Sequence, residues 1–103
     1  MQNSPKGHVD LLLLSVLENE PTHGYGLVEA LRERSEGAFD LAEGTVYPAL
    51  YRLERQGLVT SDWEAGRTRR RRVYTLTRRG AAALRRDRAA FEGYVRAMRA
   101  VLA

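Results

Sequence analysis

Apolar residues recur along the first third of the chain at Val9, Leu12, Leu13, Val16 and Leu17. That i, i+3, i+4, i+7, i+8 spacing gathers them on one helical face and predicts a first helix over residues 7–20, stopped by Pro21. Leu11 and Leu14 fall off that face. A helix apolar on two sides needs cover on both, so this second side is expected to meet another subunit. Thr22 is placed to cap a second helix reaching about residue 35, with Leu27, Ala30 and Leu31 inward. Gly24 and Gly26 in its first turns are costly in a helix and imply close backbone packing or the close approach of a ligand such as DNA. A linker over residues 35–40 follows, with Phe39 and Leu41 expected to plug the core.

A third helix is predicted over residues 45–56, capped by Thr45 and ended by Gly57 in a left-handed conformation. Pro48 then falls in the first turn, where a missing N–H is tolerated. At 100° per residue Val46, Leu50 and Leu53 converge on one side, flanked by Ala49. Thr45, Pro48, Tyr51, Arg52 and Arg55 point the other way, with Tyr47 on the flank. Residues 58–64 and 70–76 alternate as two strands joined by a turn over 65–69. Tyr74 and Leu76 share the inward face, and Trp63 is expected over the hairpin base. Thr77 caps a last helix running to residue 103. Its apolar stripe holds Leu84, Phe91, Tyr94, Val95, Met98, Val101 and Leu102, interrupted by Asp87 and Arg88, which makes it a short seam and not a long coiled coil.

The expected fold class is mainly α with a small β-hairpin: a winged helix-turn-helix over residues 1–76 and a C-terminal dimerisation helix over 77–103. At 103 residues the chain is one compact unit with limited capacity to bury surface, so a partner subunit is favoured.

Charge sharpens this picture. The formal net charge is +4, but residues 1–64 hold five Lys/Arg against eleven Asp/Glu, while residues 65–103 hold twelve arginines against two acids. Such asymmetry points to a polyanion on one side of the molecule. The hairpin supplies Arg67, Arg69, Arg70, Arg71 and Arg72, suited to phosphates and a narrow minor groove. The third helix offers hydroxyls and charge to a major groove through Thr45, Tyr47, Pro48, Tyr51, Arg52 and Arg55. Base and phosphate roles for Arg52 both stay open, as do DNA contact and internal packing for Tyr47. His23 and Tyr25 sit where a second helix begins, either beside a phosphate or, for the histidine, tucked into the helix corner. His8 reads as a surface residue.

Several classes are excluded. Without cysteine there is no disulfide framework or thiolate metal site, and two distant histidines do not make a metal centre, so no metal or cofactor is expected. No serine elbow, phosphate loop or converging carboxylate pair suggests an enzyme, and no catalytic residue is assigned. The apolar run over residues 11–17 is too short to span a bilayer and lacks a basic leader, so neither membrane nor secretion is indicated and cytoplasm is expected.

The motifs Pro21-Thr22-His23-Gly24-Tyr25-Gly26-Leu27, Glu43-Gly44-Thr45-Val46-Tyr47-Pro48-Ala49-Leu50-Tyr51-Arg52-Leu53-Glu54, Gly57-Leu58-Val59 and Arg72-Val73-Tyr74-Thr75-Leu76-Thr77 with Gly80 together resemble the PadR family of bacterial transcriptional regulators. The resemblance runs from about residue 7 to 84 and matches the branch with one short C-terminal helix. It implies a homodimeric winged-helix repressor on an inverted-repeat DNA operator, released by a small aromatic or hydrophobic effector. Ala42 departs from a serine common in the family. From the residues themselves the dimer interface is expected at Leu11, Leu14, Leu84, Phe91, Tyr94, Val95, Met98, Val101 and Leu102. Two rival readings are a winged-helix interaction protein without specific DNA binding and a regulator of another winged-helix family, MarR-like.

Overall fold

The structure, a computed structural model, describes residues 8–65 and 71–103. Four helices and three strands follow one another as α1 (Val9–Asn19), β1 (Thr22–His23), α2 (Gly24–Arg34), α3 (Glu43–Arg55), β2 (Val59–Trp63), β3 (Arg72–Leu76) and α4 (Arg78–Leu102). The strands form one antiparallel sheet in the order β1-β3-β2, with Thr22 opposite Tyr74, Ser61 also opposite Tyr74, and Trp63 opposite Arg72. A short strand between the first two helices, then two helices and a hairpin, is the winged-helix arrangement.

The predicted apolar faces converge as the spacing requires. Val9, Leu13, Val16 and Leu17 of α1 meet Leu27 and Leu31 of α2 and Val46, Ala49, Leu50 and Leu53 of α3, all buried. Phe39 and Leu41 pack partly buried against them, and Tyr74 closes the sheet side. Gly57 ends α3 at φ 77°. There the Leu58 N–H donates to the Leu53 carbonyl at 3.0 Å and the Gly57 N–H to Glu54 at 3.0 Å, so two terminal carbonyls are satisfied in the left-handed stop.

Four local expectations are corrected. β1 was not foreseen, because two residues carry no alternation to read. α2 starts at Gly24 with His23, not Thr22, as its cap: the His23 Nδ1 accepts the Gly26 N–H at 3.1 Å. α3 starts at Glu43, two residues early, behind Ala42, whose side chain offers no acceptor. Pro48 therefore lies in the second turn, where its ring nitrogen cannot donate to the carbonyl one turn back. β2 begins at Val59, because the Leu58 N–H is spent on the α3 stop.

The most consequential correction concerns α1. Its second apolar side is covered by α4 of the same chain, so Leu14 and Leu84 are sealed in the protomer's own core at 1% and 0% exposure and are not available to a partner. Leu11 is partly buried on the same core. The Arg88 Nη2 meets Glu18 Oε1 at 2.8 Å across the two helices. His8 is half-buried with its ring edge-on to Phe91 at 5.1 Å, not a free surface residue. Thr77 caps α4 as expected, its Oγ1 accepting the Gly80 N–H at 2.9 Å and donating to the Gly57 carbonyl at 2.7 Å. Among the described residues no helix is long and apolar enough to cross a membrane.

Candidate nucleic-acid interface

With its inner face spent on the core, α3 turns Thr45, Tyr47, Pro48, Tyr51, Arg52 and Arg55 outward, and all six are exposed. Tyr51 is 64% exposed, with the Arg55 guanidinium 5.8 Å from its ring centre. Arg52 is less free than its projection suggested. It forms an ion pair with Asp10 in the first turn of α1, which holds its guanidinium toward that helix. Tyr47 both packs and faces outward. A Cβ on Gly24 would lie 2.5 Å from its ring, so a side chain there would push the tyrosine aside. The same argument holds at Gly26, where a Cβ would lie 2.2 Å from Thr22 Oγ1. Both glycines are thus explained by packing within the protomer, and neither needs DNA to account for it.

The hairpin is tied to the helices by two polar chains. In the first, the Arg72 Nε donates to Ser61 Oγ at 2.7 Å, and Ser61 Oγ donates to Glu54 Oε2 at 2.7 Å on the last turns of α3. The Arg72 guanidinium also lies 5.0 Å from the centre of the Trp63 ring, its cross-strand partner. In the second, the Arg71 Nε and Nη2 both grip Glu64 Oε2 at 2.9 Å, while Nη1 approaches His23 Nε2 at 2.9 Å. The wing base is thereby locked to both α3 and the start of α2. Arg67, Arg69 and Arg70 lie outside the described residues. Of the run, Arg71 and Arg72 are engaged within the protomer and only partly exposed.

Between these elements lies a cleft of about 450 Å³. It is lined by His23, Tyr25, Tyr47, Trp63, Arg71 and Arg72, together with the buried Tyr74. The Tyr74 phenol is pushed above its usual range of about 10, first by burial and then by Glu54, with Arg72 opposing, so it remains a neutral hydroxyl. Reading along the chain placed Arg72 only in the arginine run and did not find Glu54, Ser61 or Glu64 as members of this site. Their contacts cross from strand to helix or from strand to strand, and no spacing rule encodes them.

A second surface stands apart. Past Leu84, α4 carries Phe91, Met98, Val101 and Leu102 exposed, with Tyr94 and Val95 half-buried. Val101 and Leu102, at 83% and 74%, have almost no cover. The stripe predicted for dimerisation, apart from Leu84, is therefore open on the protomer.

The chain is 36% identical over 96 residues to the transcriptional regulator Rv3488 of Mycobacterium tuberculosis, a match covering 93% of this chain and 87% of that protein. Among solved structures, a PadR family transcription regulator from Clostridium difficile superposes with a TM-score of 0.80 at 31% identity, covering 94% of this chain and all of that one. Bacillus subtilis PadR in complex with operator DNA superposes with a TM-score of 0.70 over 80% of this chain and 46% of that one, and at 23% identity speaks to fold alone. The transcriptional regulator PadR-like family matches residues 13–86, from mid-α1 through the first turns of α4, and so takes in both polar chains and the whole of α3. With that match, and a curated relative aligned over nearly its full length, the chain belongs to the PadR-like family of transcriptional regulators.

Proposed function

We propose that this chain is a homodimeric DNA-binding repressor that sets α3 into the major groove and its wing beside it. The observation that carries the reading is the outward row on α3, Thr45, Tyr47, Pro48, Tyr51 and Arg55, with a hairpin fixed alongside by the Glu54–Ser61–Arg72 chain. A rigid helix with a rigid flap at a fixed angle is what groove docking requires. Bacillus subtilis PadR, a protein of the same fold, is found in complex with operator DNA. Arg67, Arg69, Arg70 and Arg71 on the wing, with Tyr25 and His23 at the α2 start, contact backbone phosphates in this reading. Residues 1–76 form the reading unit and residues 77–103 the dimerisation helix, working in the cytoplasm.

Phe91, Tyr94, Val95, Met98, Val101 and Leu102, with Leu11 at the edge, are closed by a second copy. Exposed apolar rows of this size call for cover. A two-fold dimer reads an inverted repeat whose half-sites lie about one turn, roughly 34–36 Å, apart. A small aromatic or hydrophobic effector enclosed at the interface releases DNA by favouring a dimer with its reading helices out of register.

The test is a titration of a duplex from the protein's own promoter region between 50 and 200 mM salt. If the dimer neutralises about 6–10 phosphates, affinity falls about 10³–10⁵-fold across that range. Tyr51→Ala and Arg55→Ala each weaken binding by more than about 1 kcal/mol. A flat salt response, or variants that bind as well as the parent, contradicts the proposal.

A further inference from the structure

The wing holds fewer of the chain's arginines than α4 does. Of the twelve from residue 65 onward, seven stand on α4, and the contacts of α3 and the wing use none of those seven. At about 100° per residue Arg78, Arg85 and Arg96 fall within roughly 20° of one another, with Arg79 and Arg86 on the adjoining strip. This side lies opposite the stripe of Leu84, Phe91, Met98 and Leu102. All five arginines are exposed, and only Ala82, Ala89 and Gly93 stand between them. Arg86 lies 3.5 Å from its neighbour Asp87, and among the described residues the other four are in no ion pair. Arg88, on the apolar side, is by contrast tied to Glu18.

A row of like charges about 27 Å long repels itself unless a polyanion offsets it. A face built only for solubility mixes both signs, whereas here Glu92 stands at the edge of the row and no acid within it. What the face lacks selects the partner. No aliphatic or aromatic side chain stands among the arginines, so a protein partner finds no anchor to bury. A lipid surface finds nothing to take up either, since the apolar side of α4 faces the other way. A duplex backbone needs neither. Guanidinium forks hold its phosphates through charge and hydrogen bonds alone. The position agrees: Arg79 and Arg86 line a groove of about 410 Å³ together with Gln56, the residue that follows Arg55 at the end of α3. The row therefore begins where the outward face of α3 stops.

We infer that the outer face of α4 is a second DNA-binding surface, one that holds the backbone of duplex DNA without regard to sequence. Arg78, Arg79, Arg85, Arg86 and Arg96 contact its phosphates. The surface lies outside α3 and the wing, so it does not depend on their reading of an operator.

The test titrates the full chain, and the combined variant Arg78→Ala, Arg85→Ala, Arg96→Ala, with a random-sequence duplex. Three exposed arginines replaced by a strong helix former should leave circular dichroism and sedimentation unchanged. Random-duplex affinity at low salt is expected to fall at least about tenfold, and the slope of log affinity on log salt to become shallower by roughly 2–3. The same loss is expected when the α4 substitutions are added to Tyr51→Ala with Arg55→Ala, which separates this surface from the reading face. A chain with no preference for its promoter would defeat the operator reading and leave this loss measurable. Two sources of duplex are told apart by a short operator, the same operator with long flanks, and a labelled random duplex offered to immobilised operator. If the flanks are held, the variant weakens only the long operator. If a second molecule is held, the parent retains the labelled duplex and the variant does not. The proposal is overturned if the variant binds random duplex with the parent's affinity and slope. It is also overturned if the substitutions weaken binding to phosphatidylserine vesicles or polyglutamate and leave duplex binding intact.

Discussion

The two ends of α4 have the same kind of sequence and opposite fates. Over its first turns Gly80, Ala83 and Leu84 are buried against α1 and the sheet, and the core they complete holds no exposed large side chain. Over its last turns Phe91, Met98, Val101 and Leu102 stand open, although they follow the same helical stripe. The difference comes from reach. α1 ends its cover near Phe91, where His8 meets the ring, and a helix of 25 residues runs about 37 Å, well past the rest of a molecule 29 × 21 Å across. One half of α4 thus finishes a protomer, and the other half is surplus apolar surface that a second copy would turn into an interface.

Breaking either half should give distinguishable losses. On the closed side, Leu84→Ala removes a fully buried side chain and is expected to cost about 2–5 kcal/mol in denaturant unfolding. A loss well below that would mean the core is less tightly packed than its burial implies. On the open side, Phe91→Glu with Met98→Glu should leave helical content unchanged yet abolish self-association in sedimentation runs, since about two fifths of each residue is exposed on the protomer and neither belongs to the buried core. If the pair unfolds the chain instead, the distal turns belong to the core. Between the halves, Thr77→Ala deletes the α4 cap and its bond to Gly57, an expected loss of about 1 kcal/mol in thermal unfolding. The smallest effect is expected from Arg88→Ala: an exposed pair with Glu18 contributes under about 1 kcal/mol and fades with salt. A large cost there would show the α1–α4 contact to be electrostatic more than apolar.

Much of this architecture was legible in the sequence, because helices announce themselves by period. The faces of α1, α2 and α3, the Gly57 stop and the Thr77 cap all follow from spacing and cap chemistry. What the spacing did not carry is pairing at a distance. The stripe of the last helix could be paired with Leu11 and Leu14 of either subunit, and nothing in one dimension says that Leu14 and Leu84 meet within one protomer. His23, forty-eight residues before Arg71, gave no sign of being both a helix cap and the neighbour of an arginine. Thr22 was preferred as the cap on side-chain preference, but β1 runs through His23, the helix starts only at Gly24, and the imidazole next to it does the capping. The outward row of α3 was read correctly as a set, while the tie of Arg52 to Asp10 depends on where the start of α1 lies in space.

Sedimentation equilibrium of the parent chain at micromolar concentration tests the central claim most directly. A second copy closing the distal half of α4 predicts a species of twice the 11.6 kDa protomer mass. A mass of 11.6 kDa across that range would leave the apolar stripe without its partner and contradict the account.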